Sequence, residues 1–393
     1  MGHRHRRPSS PDPAAPLEDD DLLGEILLRL PPQPSSLPRA SLVCKRWRRL
    51  VSGRGFLARF RARHRREPPL LGVFTGGFEW LDFTPLLDPP DRIPAERLSL
   101  RQSRDERWIF CGCRHGLALL FNVDRLHAVV YDPLTGRQRQ VAFPPGFDDD
   151  QENIIGSAAM VCAAREEGHV HGDCHSSPFK LVLVRTNTAR TRVFARLYDS
   201  ESGEWGNLIS EPITVILPIT LQRSSVLVGS ALHWSIDGTC ILSFDLETQS
   251  LVLIREPADA HSTRYSHFQI LRTQDGCLGL AISSEQSMQL WERNNSGGVG
   301  RWVLRKTLQL GKLLSVKPEM EKAHIQILGY AEESNVMFLV IGFSVFMIQL
   351  GSLRFKHIFE SNLRTTYHPY TNFYAGGRII SDRDDEPEML NNT

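Results

Sequence analysis

The chain has 393 residues, of which 41% are hydrophobic and 23% charged, and its 46 Lys and Arg against 45 Asp and Glu leave a net charge of +1. That composition excludes wholesale disorder. The neutrality is a cancellation, because residues 1–67 carry +8 and residues 68–393 carry −7. Such a split points to a small basic module joined to a differently built body, and the length leaves room for one small domain and one large β architecture.

No apolar run is credible as a membrane span. The longest, residues 335–350, is interrupted by Gly342, Ser344 and Gln349, and a span needs about 20 apolar residues. The first apolar stretch, Leu22 to Leu30, contains Glu25 and Arg29, so it does not read as a signal-peptide core. Seven cysteines without framework spacing fit a reducing compartment, and the expected location is cytoplasmic and/or nuclear.

Residues 1–15, rich in Arg, His, Pro and Ser, read as a disordered basic tail. A helical module is expected over residues 16–66. Glu18, Asp19, Asp20 and Asp21 supply a cap and first-turn acids, followed by Leu22, Leu23, Ile26, Leu27 and Leu30 at helical spacing, and Pro31 and Pro32 stop that helix. A second helix is expected from Ser36, with Ala40, Val43, Cys44, Trp47, Leu50 and Val51 as one continuous stripe and Gly53 as its C-terminal cap. Phe56, Leu57 and Phe60 suggest a third, short helix whose far face is arginine.

From Pro68 the period changes from 3.6 to 2. Apolar runs at Leu117–Phe121, Ala128–Tyr131, Lys180–Val184, Val193–Tyr198, Ser225–Gly229, Ile241–Phe244, His324–Leu328, Val336–Val340 and Phe343–Ile348 are separated by turn residues, as in an all-β body. Three turns look alike, each an aromatic followed by Asp132, Asp199 or Asp245, whose carboxylate can bond the turn backbone. Asp199 and Asp245 stand 46 residues apart, and Trp291 lies 46 further on, whereas Asp132 and Asp199 are 67 apart, so a large insertion lies between them. A period in the forties with four short strands per unit is the pattern of propeller blades. Six or seven such blades fit residues 68–380 as an irregular β-propeller; a two-sheet sandwich is the alternative. Residues 381–393 read as an acidic disordered tail.

No phosphate-binding loop, zinc-protease helix or nucleophile elbow is present. No catalytic residue, cofactor or metal is assigned. Cys162, His169, His171, Cys174 and His175 are chemically apt for zinc, but their spacing matches no paired-knuckle pattern and Glu166, Glu167, Gly168, Gly172 and Asp173 among them describe a solvated loop. The alternating Cys111, Cys113 and His115 read as packing at a strand end. Basic residues from Arg39 to Arg66, with Trp47, Phe56 and Phe60, are the raw material of a nucleic-acid surface. The aromatics fall on the apolar stripe, however, and would be buried rather than offered for stacking.

The segments from Leu17 to Pro31 and from Ser36 to Leu50 carry an L-L-x-E-I-L-x-R-L-P stretch followed by V-C-K-x-W-R-x-L, and together they resemble the F-box. An extra acid before Leu22 and the extra Pro32 to Ser35 depart from that pattern, both in loops or caps. Gly112 to Leu120, Val130 to Gly136 and Phe143 to Phe147 resemble the F-box-associated β domain of large plant families, the grass versions in particular. The resemblance implies a non-catalytic substrate receptor of a Skp–cullin–F-box ubiquitin ligase, with a Skp-type adaptor, a cullin-RING ligase and an unknown client protein as partners. It implies an adaptor surface drawing on Leu17, Leu23, Ile26, Leu27, Leu30, Pro31, Leu37, Val43, Cys44 and Trp47, any single one of which reads equally well as internal core. A nucleic-acid-binding protein using the arginine face of residues 39–66 is the alternative.

Overall fold

The computed structural model describes residues 18–65, 67–76, 80–98, 100–101, 106–144, 154–165, 169–172, 174–187, 189, 191–213, 224–236, 240–257, 268–284, 287–294, 300–310, 325–361 and 365–374. The two tails expected at residues 1–15 and 381–393 lie outside them.

Four helices come first: α1, Asp20–Leu27; α2, Ser36–Ser41; α3, Lys45–Val51; and α4, Arg54–Arg63. Asp19 caps α1, its carboxylate accepting from the Asp21 and Leu22 N–H groups at 2.8 and 3.1 Å, as its place before the apolar stripe predicts. The single helix expected from Ser36 through Val51 is instead α2 and α3. The Ser41 hydroxyl donates back to the Pro38 carbonyl at 2.6 Å, a local bond that competes with continuation of the helix. Cys44 then turns extended at φ −162°, ψ 170°, and its Sγ caps α3 by accepting the Trp47 N–H. Gly53 does not close α3 in a left-handed turn; at φ −66° it is the N-cap of α4, and Ser52 ends α3. Leu23, Leu27, Leu28, Leu37, Ala40, Val51, Leu57 and Phe60 form the module's own core.

The rest is a six-bladed propeller, each blade an antiparallel sheet. Blade 2 runs Trp108–Arg114, Leu117–Asn122, His127–Tyr131 and Gln138–Ala142. Blade 3 runs Ile154–Cys162, Phe179–Thr186 and Arg192–Asp199, with both Glu204–Trp205 and Ile209–Pro212 pairing along the third strand. Blades 4, 5 and 6 begin at Val226–Val228, Phe268–Arg272 and Ile325–Ala331, and blade 6 ends with Arg354–Glu360. Blade 1 is composite. The late strand His368–Thr371 pairs with Leu70–Gly76, which continues through Trp80–Pro85 to Leu100–Arg101. The two ends of the β domain therefore close the ring in one sheet.

The burial of each strand follows its place in the blade. Second strands such as Leu117–Asn122, Leu278–Ser283 and Val336–Ile341 are buried along their whole length, because neighbouring blades cover both faces. Such strands read as continuous apolar runs rather than alternating ones. Outer strands such as Arg354–Glu360 are largely exposed. The core is accordingly a ring of layers between blades, for example Leu119, Phe121 and Val130 of blade 2 against Ala158, Leu181 and Leu183 of blade 3.

All three Asp turns join the third strand of a blade to its outer edge. Asp132 accepts from the Leu134 N–H at 2.9 Å and the Thr135 hydroxyl at 2.7 Å, and Asp199 accepts from the Glu201 N–H at 2.9 Å. Asp245 accepts from the N–H groups of Glu247 and Thr248 and from the Ser230 hydroxyl. Asp245→Ala is expected to lower the unfolding free energy by about 1–2 kcal/mol, seen as a shifted denaturation midpoint at constant slope. An unchanged midpoint would show the carboxylate to be dispensable. Trp291 lies within the third strand of blade 5, Ser287–Asn294, so that interval reaches the corresponding strand of the next blade. Among the described residues no helix is long and apolar enough to cross a membrane.

Candidate functional site

Two places concentrate features that folding alone does not demand: the outer face of the helical module and one mouth of the propeller channel. On the module, the structure sorts the ten residues of the expected adaptor surface. Leu23 and Leu27 of α1 and Leu37 of α2 are buried in its core, so they belong to the module's interior rather than to its outer face. Leu30 and Trp47 are half-buried, Pro31 and Cys44 exposed, and Ile26 and Val43 are large apolar side chains 40% and 61% open to solvent. Leu17 lies outside the described residues. Leu22 and Leu42, 51% and 75% exposed, join the exposed apolar set. Leu42 was missed because a continuous second helix hides the turn that exposes it.

The arginine face is partly engaged within the module. Arg46 pairs with Asp20 at 2.6 Å and reaches the Glu18 carbonyl at 2.7 Å, and Arg59 pairs with Glu25. Phe60 is buried, and Phe56 and Trp47 pack on the same core. No aromatic platform accompanies the basic residues among those described.

At the channel mouth, the first strands of all six blades are tied together by polar side chains. Arg114 ends the first strand of blade 2 and is 7% exposed. Its guanidinium pairs with Glu332 at 2.5 Å and donates to the carbonyls of Met160 and Ser225 at 3.1 and 2.7 Å. Glu332 also accepts the Leu227 N–H at 2.9 Å, and its carbonyl accepts from Arg272 at 3.1 Å. Glu333 accepts the His115 N–H at 2.9 Å and the Thr371 hydroxyl. Burial first, and then the adjacent Glu332 carboxylate, push the Glu333 carboxyl up to about 7.

The turn at His115 and Gly116 has φ of 55° and 77°, as a two-residue hairpin requires. A Cβ on Gly116 would lie 2.5 Å from the Asn372 side chain of the closing strand's extension. Beside this ring lies a cavity of about 570 Å³ walled by His115, Arg272, Glu332, Glu333, Phe373 and the loop after Cys162.

That loop lies inside the long interval between Asp132 and Asp199, and its described residues converge on one another. Ligand atoms of Cys162, His169, His171 and Cys174 lie within 4.8 Å of one another. His169 Nε2 stands 3.3 Å from Cys162 Sγ and 3.5 Å from Cys174 Sγ, and His171 Nδ1 stands 3.4 Å from Cys174 Sγ. The hydrogen bond from Cys174, and then that from His171, hold the Cys162 thiol well below its ordinary range. His175 turns away, toward Asp132 at 3.7 Å and Arg137 at 2.9 Å. Cys111 and Cys113 are held protonated by burial, Cys111 up to about 12, as their reading as packing residues requires.

The F-box domain model matches residues 19–59, and the model described as "F-box protein AT5G49610-like, beta-propeller" matches residues 109–371. The chain belongs to this F-box propeller family. The F-box match spans α1 to most of α4, and the propeller match runs from blade 2 to the closing strand. The strands of blade 1 that precede it, Leu70–Gly76 and Trp80–Pro85, fall outside the match, although in this F-box protein they complete the ring.

The F-box/kelch-repeat protein At3g61590 of Arabidopsis thaliana is 28% identical over 196 residues, 50% of this chain and 46% of that protein. The match thus spans about half the length of that curated relative. Among solved structures, a protein of unknown function from Bacteroides caccae has a TM-score of 0.40 at 8% identity, covering 76% of this chain and 98% of that one. Sqt1 of Saccharomyces cerevisiae has a TM-score of 0.35 at 12% identity, covering 62% and 60%.

Proposed function

We propose that this F-box protein is the substrate-recognition subunit of a Skp–cullin–F-box ubiquitin ligase, acting in the cytoplasm and/or nucleus. The observation that carries this reading is the exposed apolar set Leu22, Ile26, Leu42 and Val43 on a module whose own core is already complete. Exposed aliphatic side chains on so small a helical unit are best accounted for by a partner that covers them. A Skp-type adaptor is the partner that the F-box implies. The propeller then presents its channel mouth, with a cavity walled by Arg272, Glu332, Glu333 and His115, to a client protein.

The chain performs no bond chemistry in this reading. It holds client lysines close to a ubiquitin-charged enzyme, and the gain is one of effective concentration. The propeller tolerates this role because its six blades are tied at the mouth and offer a fixed surface, which limits the ordering cost of binding.

The test is adaptor binding by the full chain with Leu42→Asp and Val43→Asp together. Both side chains are exposed, so the fold and its melting temperature should be unchanged. Removing two anchors at the centre of an interface costs on the order of 2–4 kcal/mol, or about 30-fold or more in affinity. Adaptor affinity equal to that of the native chain would overturn the reading.

A further inference from the structure

We infer that Cys162, His169, His171 and Cys174 form a structural zinc site that fixes residues 169–172 beside the cavity at the channel mouth. The donor set is two thiols and two imidazoles, the soft and borderline ligands that select zinc over magnesium or calcium. The spacing of the donor atoms agrees. Zinc bonds of about 2.3 Å to sulfur and 2.0–2.1 Å to nitrogen place neighbouring sulfur and nitrogen ligands about 3.5 Å apart in a tetrahedron. Three of the four sulfur–nitrogen distances here are 3.3, 3.4 and 3.5 Å, and all four donor atoms lie within 4.8 Å of one another. Four protein ligands would fill the coordination shell, which is the mark of a structural rather than a catalytic site.

The surroundings hold these donors in place from both sides. Cys162 is the last residue of the first strand of blade 3, and Cys174 is buried against the core between blades 2 and 3, so the two sulfurs are anchored on the scaffold. The histidines come from the loop. His115, on the hairpin tip of blade 2, accepts the Cys162 N–H on Nδ1 at 3.3 Å and stacks its ring on His171, with 3.5 Å between centroids and 4° between planes. Such contacts behind the ligands set their orientation.

Gly172 follows His171 in a conformation that side-chain-bearing residues rarely adopt. Its φ is +117°, and a Cβ there would fall 2.9 Å from the Phe373 ring. The spacing differs from that of paired knuckles because one long loop, rather than two short turns, carries both histidines.

The site borders the 570 Å³ cavity, whose wall includes Cys162, His169 and His171. Metal binding therefore shapes the surface that faces a client, and metal affinity becomes part of the loop's folding energy.

The experiment is elemental analysis of the full-length chain, purified under reducing conditions through a tag without histidines and without chelator. One zinc per chain is expected, and cobalt substitution should give thiolate-to-cobalt charge-transfer bands with the ligand-field spectrum of a tetrahedral site. Cys162→Ser with Cys174→Ser should bring zinc to background, while Cys240→Ser, a cysteine of blade 4, should leave one per chain. If the double variant does not fold, the native chain decides alone: a strong chelator should lower its melting temperature and expose the loop to protease. A folded native chain free of metal, a double serine variant that still holds zinc, or Cys162 and Cys174 joined as a disulfide in reductant would each overturn the assignment.

Discussion

Arg114→Met is expected to lower the stability of the propeller by about 3–5 kcal/mol, the range for breaking a buried ion pair by removing one partner. The size comes less from the bonds lost than from what is stranded. Arg114 and Glu332 are only 6% and 12% exposed at their side chains, and methionine fills the volume without neutralising the carboxylate. The Met160 and Ser225 carbonyls lose donors at the same time. Glu332→Gln in the Arg114→Met background should recover much of the loss, because the amide removes the unpaired charge. Its oxygen can still accept the Leu227 N–H, bonded to Glu332 at 2.9 Å in the native chain. Denaturant titration of the single and double variants, followed by tryptophan fluorescence, gives the comparison. A double variant no more stable than Arg114→Met would show that the cost is packing rather than stranded charge.

This network also marks where reading the sequence reaches its limit. The apolar runs Leu117–Phe121 and Val336–Val340 announce themselves because second strands of blades are covered on both faces. The Asp132, Asp199 and Asp245 turns are visible because a local carboxylate-to-backbone bond needs an acid at one fixed place. By contrast, Arg301–Gln309 and Arg354–Glu360 are polar outer strands held by pairing with a neighbour, and no periodicity betrays them.

Arg114 and Glu332 are 218 residues apart, and only closure of the ring brings them together. The composite blade 1 is equally non-local. In the helical module, the apolar stripe from Ala40 to Val51 is compatible with one helix or two, and the Ser41 hydroxyl and Cys44 cap decide the matter. The Cys and His loop carried a compositional signal, but the convergence of its ligands goes with the positive φ at Gly172 and the stack of His171 on His115, neither of which follows from spacing.

His368→Asn is expected to make the propeller less sensitive to acid. His368 lies in the strand that closes the ring, pairs with the Ser224 hydroxyl at 2.7 Å and sets its ring edge-on to Phe110. Burial holds its imidazole down to about 4, from an ordinary value of 6.5. The unfolded chain gains a proton at this residue below about pH 6.5, and the folded chain cannot until about pH 4. Stability contributed by the neutral ring is therefore complete above pH 6.5 and is lost as the pH falls, by about 3 kcal/mol at pH 4.

Other groups titrate in the same window, among them His115 and His127, both held below the ordinary value chiefly by burial. His233, also held down to about 4 by burial, adds a loss of the same sign. Glu333, raised to about 7, acts the other way, because a carboxyl that binds its proton more tightly when folded gives up stability as the pH rises. The difference between native chain and variant isolates His368. At pH 7 the variant should be less stable by about 1 kcal/mol for the lost ring contact, and below about pH 6, where the linkage loss of the native chain passes that figure, the order should reverse. A difference that stays constant from pH 7 to pH 4 would show that His368 is not held neutral by the closed ring, and that acid opens the propeller elsewhere.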